Sequence, residues 1–273
     1  MSRLLAAAAA EFRIALRNRW VAIAIAMMVL FAAVLSAAGT APTGALGTDR
    51  LTVTVASLTS LGVYLVPLIA LLMSFDAIAG EQERGTLALV LTYPVQRWQL
   101  VAAKFLAHLA ILALAVVCGY GVATIAAFAV DPRSLAGLAA LFRLTWTSLL
   151  LGAAFLGLGY TVSALSRRSG TAAALVIALW LVMIVLFDLA LLAGVVADNG
   201  GVFTTRVFPL ALLANPADAF RLFNLAASEA TAAAAGIGGA ANAIPPLQAL
   251  LSLTLWAIAA FLAAIAAFRR VQP

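Results

Sequence analysis

DAIAGEQERGTLALVLTYPVQRWQLVAAK, residues 76–104, is the one place where charge, glycine and proline break in an orderly way into two long apolar runs. Each flanking run is about 20 residues, the length a helix rising about 1.5 Å per residue needs to cross a hydrocarbon core about 30 Å thick. The segment carries Glu81, Glu83, Arg84 and Arg97 around an amphipathic core, Leu87 to Leu91. It reads as a short exposed helix between two membrane spans, a shape that a soluble partner can grip.

Working outward, 66% hydrophobic residues, 10% charged residues and a mean hydropathy of +1.14 lie far outside the composition of soluble domains. Six runs have spanning length: Trp20 to Ala38, Ser57 to Phe75, Leu100 to Val130, Leu141 to Leu165, Thr171 to Ala193 and Leu247 to Phe268. A buried soluble core would bring charged outer faces, and these runs have none. The expected fold is an all-α integral membrane protein of six transmembrane helices, one domain over residues 1–273.

Cytoplasmic loops retain Lys and Arg, so the basic residues orient the spans. With the N-terminus inside, the inner set is Arg3, Arg13, Arg17, Arg19, Arg84, Arg97, Lys104, Arg167, Arg168, Arg269 and Arg270, eleven of sixteen; Arg50, Arg133, Arg143, Arg206 and Arg221 fall outside. Both termini are therefore expected in the cytoplasm. The net charge of +6 belongs mainly to the inner face and implies anionic lipid, not nucleic acid.

Residues 1–19 are alanine-rich and end in clustered arginines, which predicts an interfacial helix on the inner leaflet. A cleavable signal peptide is the competing reading, with Ser36 to Gly39 offering small residues, but the apolar run is long and four arginines precede it. Residues 77–99 form the inner coupling loop, and 194–246 an outer helical layer. Within that layer Asn215-Pro216-Ala217-Asp218 is a good helix start: Asn caps free amides, proline fits the first turn, and an early carboxylate suits the dipole. With Phe220, Arg221 and Phe223 it reads either as a docking face for an extracytoplasmic partner or as a helix lying on the membrane.

Catalytic chemistry is hard to build from this chain. There is one cysteine, Cys118, and one histidine, His108, so no disulfide framework and no Cys/His metal cluster follows. No GxxxxGK[ST] loop is present, and Lys104, the only lysine, follows alanines. Two intramembrane candidates remain. His108 is read as a hydrogen-bonded packing residue in preference to a proton relay, and Asp188 as a structural carboxylate about five residues from the outer end of its span, within reach of Arg206. Lys104 is expected to snorkel to the headgroups. The scattered methionines fill gaps more readily than they ligate copper.

GEQERGT (residues 80–86), LVLTYPVQR (89–97) and Lys104-Phe105 resemble the first cytoplasmic loop of ABC-2-type permeases. NPADAFRLFNL (215–225) is similar to the outer loop of those ABC-2 permeases that serve nitrous oxide reductase maturation. The resemblance implies a homodimer in the bacterial inner membrane, a cognate NosF-like ATPase that holds ATP and Mg, and a periplasmic NosD-like protein. This chain would bind no cofactor itself. The implied task is assembly of the copper sites of nitrous oxide reductase, with Glu81, Glu83, Arg84 and Arg97 as the ATPase-coupling residues and Asn215, Asp218, Phe220, Arg221 and Phe223 facing the periplasmic partner. Export of another small or lipid-like cargo is the alternative, and a proton-coupled secondary transporter resting on Asp188 and His108 is the reading from a different energy class.

Overall fold

The computed structural model describes residues 2–16, 19–38, 50–90, 92, 96–132, 135, 137–198, 200–226 and 244–272, and these are helical with no strand among them. In order they form α1 (Ser2–Leu16), α2 (Arg19–Ala38), α3 (Arg50–Ser74), α4 (Asp76–Glu83), α5 (Leu87–Val90), α6 (Arg97–Val130) and α7 (Leu138–Leu165). Then come α8 (Ser169–Trp180), a π-helical turn (Leu181–Leu186) and α9 (Phe187–Asp198), which run as one rod. A second π turn (Phe203–Val207) leads into α10 (Phe208–Ala214), followed by α11 (Pro216–Ala226) and α12 (Pro246–Arg269).

Five of these are long and apolar enough to cross a membrane: α3, α6, α7, the α8–α9 rod and α12. They are the last five of the six expected spans, with ends several residues longer. The first expected span coincides with α2, whose apolar stretch Val21–Leu35 is shorter than a full crossing. Below, inner and outer keep the sense that the basic residues give them.

The bundle is centred on α3, α6 and α7, where Tyr120, Phe155 and Tyr160 are fully buried beside Leu58, Leu71 and Ile111. Lipid tails are as apolar as leucine, so helices in a bilayer associate through close approach of small residues. α12 meets α7 in this way. A Cβ on Gly157 would lie 2.6 Å from the Ala260 backbone, so only glycine allows that contact. The α8–α9 rod is held by a narrow stripe, Ala172, Val176, Ile184 and Leu191, and shows the rest of its surface outward.

α1 packs along α6. The described part of the outer layer, residues 200–226, is a hairpin that enters the bundle. At its tip Asn215 Nδ2 donates to Met183 O at 2.6 Å and Trp256 Nε1 donates to Ala214 O at 3.1 Å. Met183 and Trp256 lie about 20 Å along their helices from the inner ends, Ser169 and Arg269. Of the expected layer, residue 199 and residues 227–243 lie outside the described residues, as does Pro94 of the inner loop.

Candidate functional site

α4 is fixed to the inner end of α7 by one hydroxyl. The first amides of a helix have no intrahelical acceptor, and here Ile78 N–H and Ala79 N–H both donate to the buried Ser163 Oγ, at 3.0 and 2.9 Å. The helix ends in a Schellman pair, with Thr86 N–H donating to Glu81 O at 2.9 Å and Gly85 N–H to Gln82 O at 3.2 Å. Gly85 takes φ +68°, the left-handed value that this ending needs and glycine supplies at least cost. After α5, whose Leu87 is buried, α6 starts on a capping box in which Gln96 N–H donates to Gln99 Oε1 at 3.0 Å.

Lys104 ties three helices together. Its Nζ sits 2.6 Å from Glu81 Oε1 of α4 and 3.0 Å from Glu11 Oε1 of α1, and the residue is 7% exposed. The expected snorkelling lysine is thus an internal ion pair, because α1 covers this turn of α6 and two carboxylates compensate the buried charge. Glu11 was not legible as a partner: its signal in sequence was only that it is the single acid of the first helix. One turn along α6, His108 Nδ1 is hydrogen-bonded to Tyr160 Oη at 2.8 Å, in the core.

The other predicted coupling residues are also engaged. Glu83 Oε2 accepts from Ser169 N–H at 2.9 Å and from Ser169 Oγ at 2.7 Å, a carboxylate seated on the positive N-terminus of α8. Asp76 Oδ1 lies 2.6 Å from the same hydroxyl and competes with Glu83 for its single hydrogen. Arg84 makes only a loose exposed pair with Asp76, at 3.4 Å. Arg97 Nη1 donates to Val271 O at 2.7 Å and to Arg269 O at 3.2 Å, pinning the tail after α12. Glu81 is therefore directed inward to Lys104, while Glu83 stays exposed beside α8. Around it Arg84, Arg167, Arg168, Arg269 and Arg270 are exposed as well.

At the outer side four of the five predicted docking residues are buried in the bundle, and Arg221 is half-buried. Asn215, Asp218, Phe220 and Phe223 are 2%, 2%, 0% and 9% exposed, so they offer no surface to a partner. Asn215 caps α11, its Oδ1 accepting from Ala217 N–H at 2.8 Å, while its amide takes up the Met183 carbonyl in the π turn. A π turn shifts the hydrogen-bond register and frees such a carbonyl for outside partners. Phe220 packs beside Gly62 of α3, and Phe223 meets Trp146 of α7 edge-on, with ring centroids 5.8 Å apart.

Asp188 pairs with Arg221 at 3.3 Å, not with Arg206, and Arg221 also binds Asp218 three residues back. Asp188 is ten residues from the end of α9, since the helix runs on to Asp198. Two carboxylates share one guanidinium, and Asp218 Oδ2 is left buried without a partner. Burial, with Asp188 adding to it against the pull of Arg221, pushes the Asp218 carboxyl up to about 7.

Several apolar helices long enough to cross a membrane, with a short helix clamped across one end of them, are the build of a membrane transport component. The chain belongs to the ABC-2 family of transporter proteins, whose pattern matches residues 5–272. It is 44% identical over 259 residues to the probable ABC transporter permease protein NosY of Pseudomonas aeruginosa, covering 93% of this chain and 94% of that one. To the probable NosY of Stutzerimonas stutzeri it is 40% identical over the same length and shares.

Proposed function

We propose that this chain is the permease subunit of a complex that assembles the copper sites of nitrous oxide reductase. It works as a homodimer in the inner membrane, with both termini cytoplasmic and α2 completing six spans. A NosF-like ATPase holds ATP and Mg on the cytoplasmic side and a NosD-like protein acts in the periplasm. The observation that carries the reading is 40–44% identity to two NosY permeases over 93% of the chain.

The geometry supports a force transmitter over a copper conduit. α4 is bolted to α7 by Ser163, to α6 and α1 by Lys104 and to α8 by Ser169. A displacement of α4 is therefore shared with four helices, and the α8–α9 rod carries it to the hairpin through Met183 and Asp188. One cysteine and one histidine in the whole chain leave copper handling to the partners.

Deleting the chain while keeping the ATPase and the periplasmic protein is expected to leave nitrous oxide reductase expressed but copper-poor. Metal analysis of the purified reductase reads this directly. A fully copper-loaded, active reductase from the deletion strain would refute the proposal, and activity without any ATPase would favour a proton-coupled carrier.

A further inference from the structure

We infer that the cavity between α9 and α10 is a lipid site, which holds the primary ammonium of an aminophospholipid against Asp188. The inference stands apart from the proposed function and gives a ligand to a different part of the chain. The cavity measures about 310 Å³. Leu191 and Val195 of α9 line it with Phe208 and Leu212 of α10, and Asp188 and Arg221 supply its charged groups. A Cβ on Gly194 would lie 2.5 Å from the Phe203 ring, so α9 and the second π turn are in contact beside Val195. An apolar cavity with a few convergent polar groups, about 300 to 1,000 Å³ in size, is the usual build of a small-ligand site.

Charge selects the head. Asp188 and Asp218 share the one guanidinium of Arg221, so the cluster has one carboxylate in excess. A proton on the buried Asp218 can balance it, and so can a cation brought to Asp188 from the cavity. Asp188 is half-buried and holds Arg221 only loosely, at 3.3 and 3.4 Å. An ammonium donates up to three hydrogen bonds and can take up such a carboxylate. An anionic head would instead add a third negative group to one arginine. The walls select the rest of the ligand. Water alone would wet apolar side chains, whereas acyl carbons match them. The exposed Leu189, Leu192 and Val196 continue that apolar surface along α9. The volume suits a head and its first carbons, with the chains lying on this flank.

The test places the full chain, purified with the partners it binds, in nanodiscs of equimolar phosphatidylethanolamine, phosphatidylcholine and phosphatidylglycerol. Native mass spectrometry then counts the lipid each chain retains on release. The unaltered chain is expected to keep phosphatidylethanolamine about tenfold over phosphatidylcholine, whose methylated ammonium donates no hydrogen bond. Asp188→Asn should abolish that preference. Val195→Trp, which fills the cavity and leaves both ion pairs in place, should lower phosphatidylethanolamine to the level of phosphatidylcholine. Either substitution can disturb packing, so the unaltered chain also decides by itself. Equal retention of the three lipids would mean annular lipid only, and a preference for phosphatidylglycerol would make Arg221 the reader of the head. Both results overturn the proposal, as does an undiminished preference in either variant.

Discussion

The two polar interruptions of the bundle, residues 75–96 between α3 and α6 and residues 200–226 after α9, look alike in sequence and are handled oppositely by the fold. Both combine a proline or glycine break, a few charges and a short amphipathic helix. The inner one stays at the end of the bundle, with Glu81 turned inward to Lys104 and Glu83 and Arg84 left exposed. The outer one enters the bundle because Asn215, Arg221 and Asn224 each find a partner there. Asn224 alone donates to Thr147 Oγ1 and Phe220 O, both at 2.9 Å. Charge in a loop is therefore not a mark of surface; what decides is whether the bundle supplies the complementary group.

The comparison breaks most sharply at its ion pairs. Lys104→Met leaves Glu11 and Glu81 facing each other at a buried position, and removing one member of such a group costs about 3–5 kcal/mol. Arg221→Met at the outer triad is expected to cost less, because Arg221 is 32% exposed in its side chain against 9% for Lys104. Thermal unfolding of both variants in the same detergent checks the order. Equal losses would show that the two clusters are equivalent.

Ser163→Ala should cost about 1–3 kcal/mol, since it leaves two buried amides of α4 without an acceptor. It is also expected to loosen α4 without disturbing the hairpin, which hydrogen exchange at residues 76–83 and 216–226 would resolve. Protection lost equally from both segments would contradict that independence.

The outer cluster has its own pH signature. Asp218 binds its proton more tightly folded, with a pKa of about 7, than unfolded, at about 3.9. Its contribution to stability therefore falls as pH rises from about 4 to about 7 and is level above. Asp218→Asn should flatten this part of the unfolding profile, and an unchanged slope would assign it elsewhere. At the bottom of the scale, Arg84→Gln is expected to change stability by no more than about 0.5 kcal/mol, because its pair with Asp76 is long and open to solvent.

The spans were legible because their signal is length and apolarity, which need no knowledge of partners. So was the cap of α11, since Asn215, Pro216 and Asp218 act within one turn. The ion pairs were not. Glu11 and Lys104 are 93 residues apart, and Asp188 and Arg221 are 33 apart, so only the packing of α1 on α6 and of the hairpin on α9 brings them together. Phe220 and Phe223 looked like exposed apolar surface because an amphipathic helix of this length has the same pattern on a membrane as inside a bundle.

The most direct test replaces each interruption in turn. Residues 81–97 are exchanged for a Gly/Ser linker in one chain, and Asn215→Ala is made in another, each co-expressed with the cognate ATPase and affinity-purified from membranes. The account predicts that the ATPase is lost from the first and retained at wild-type stoichiometry by the second. Retention of the ATPase by the linker chain would contradict it.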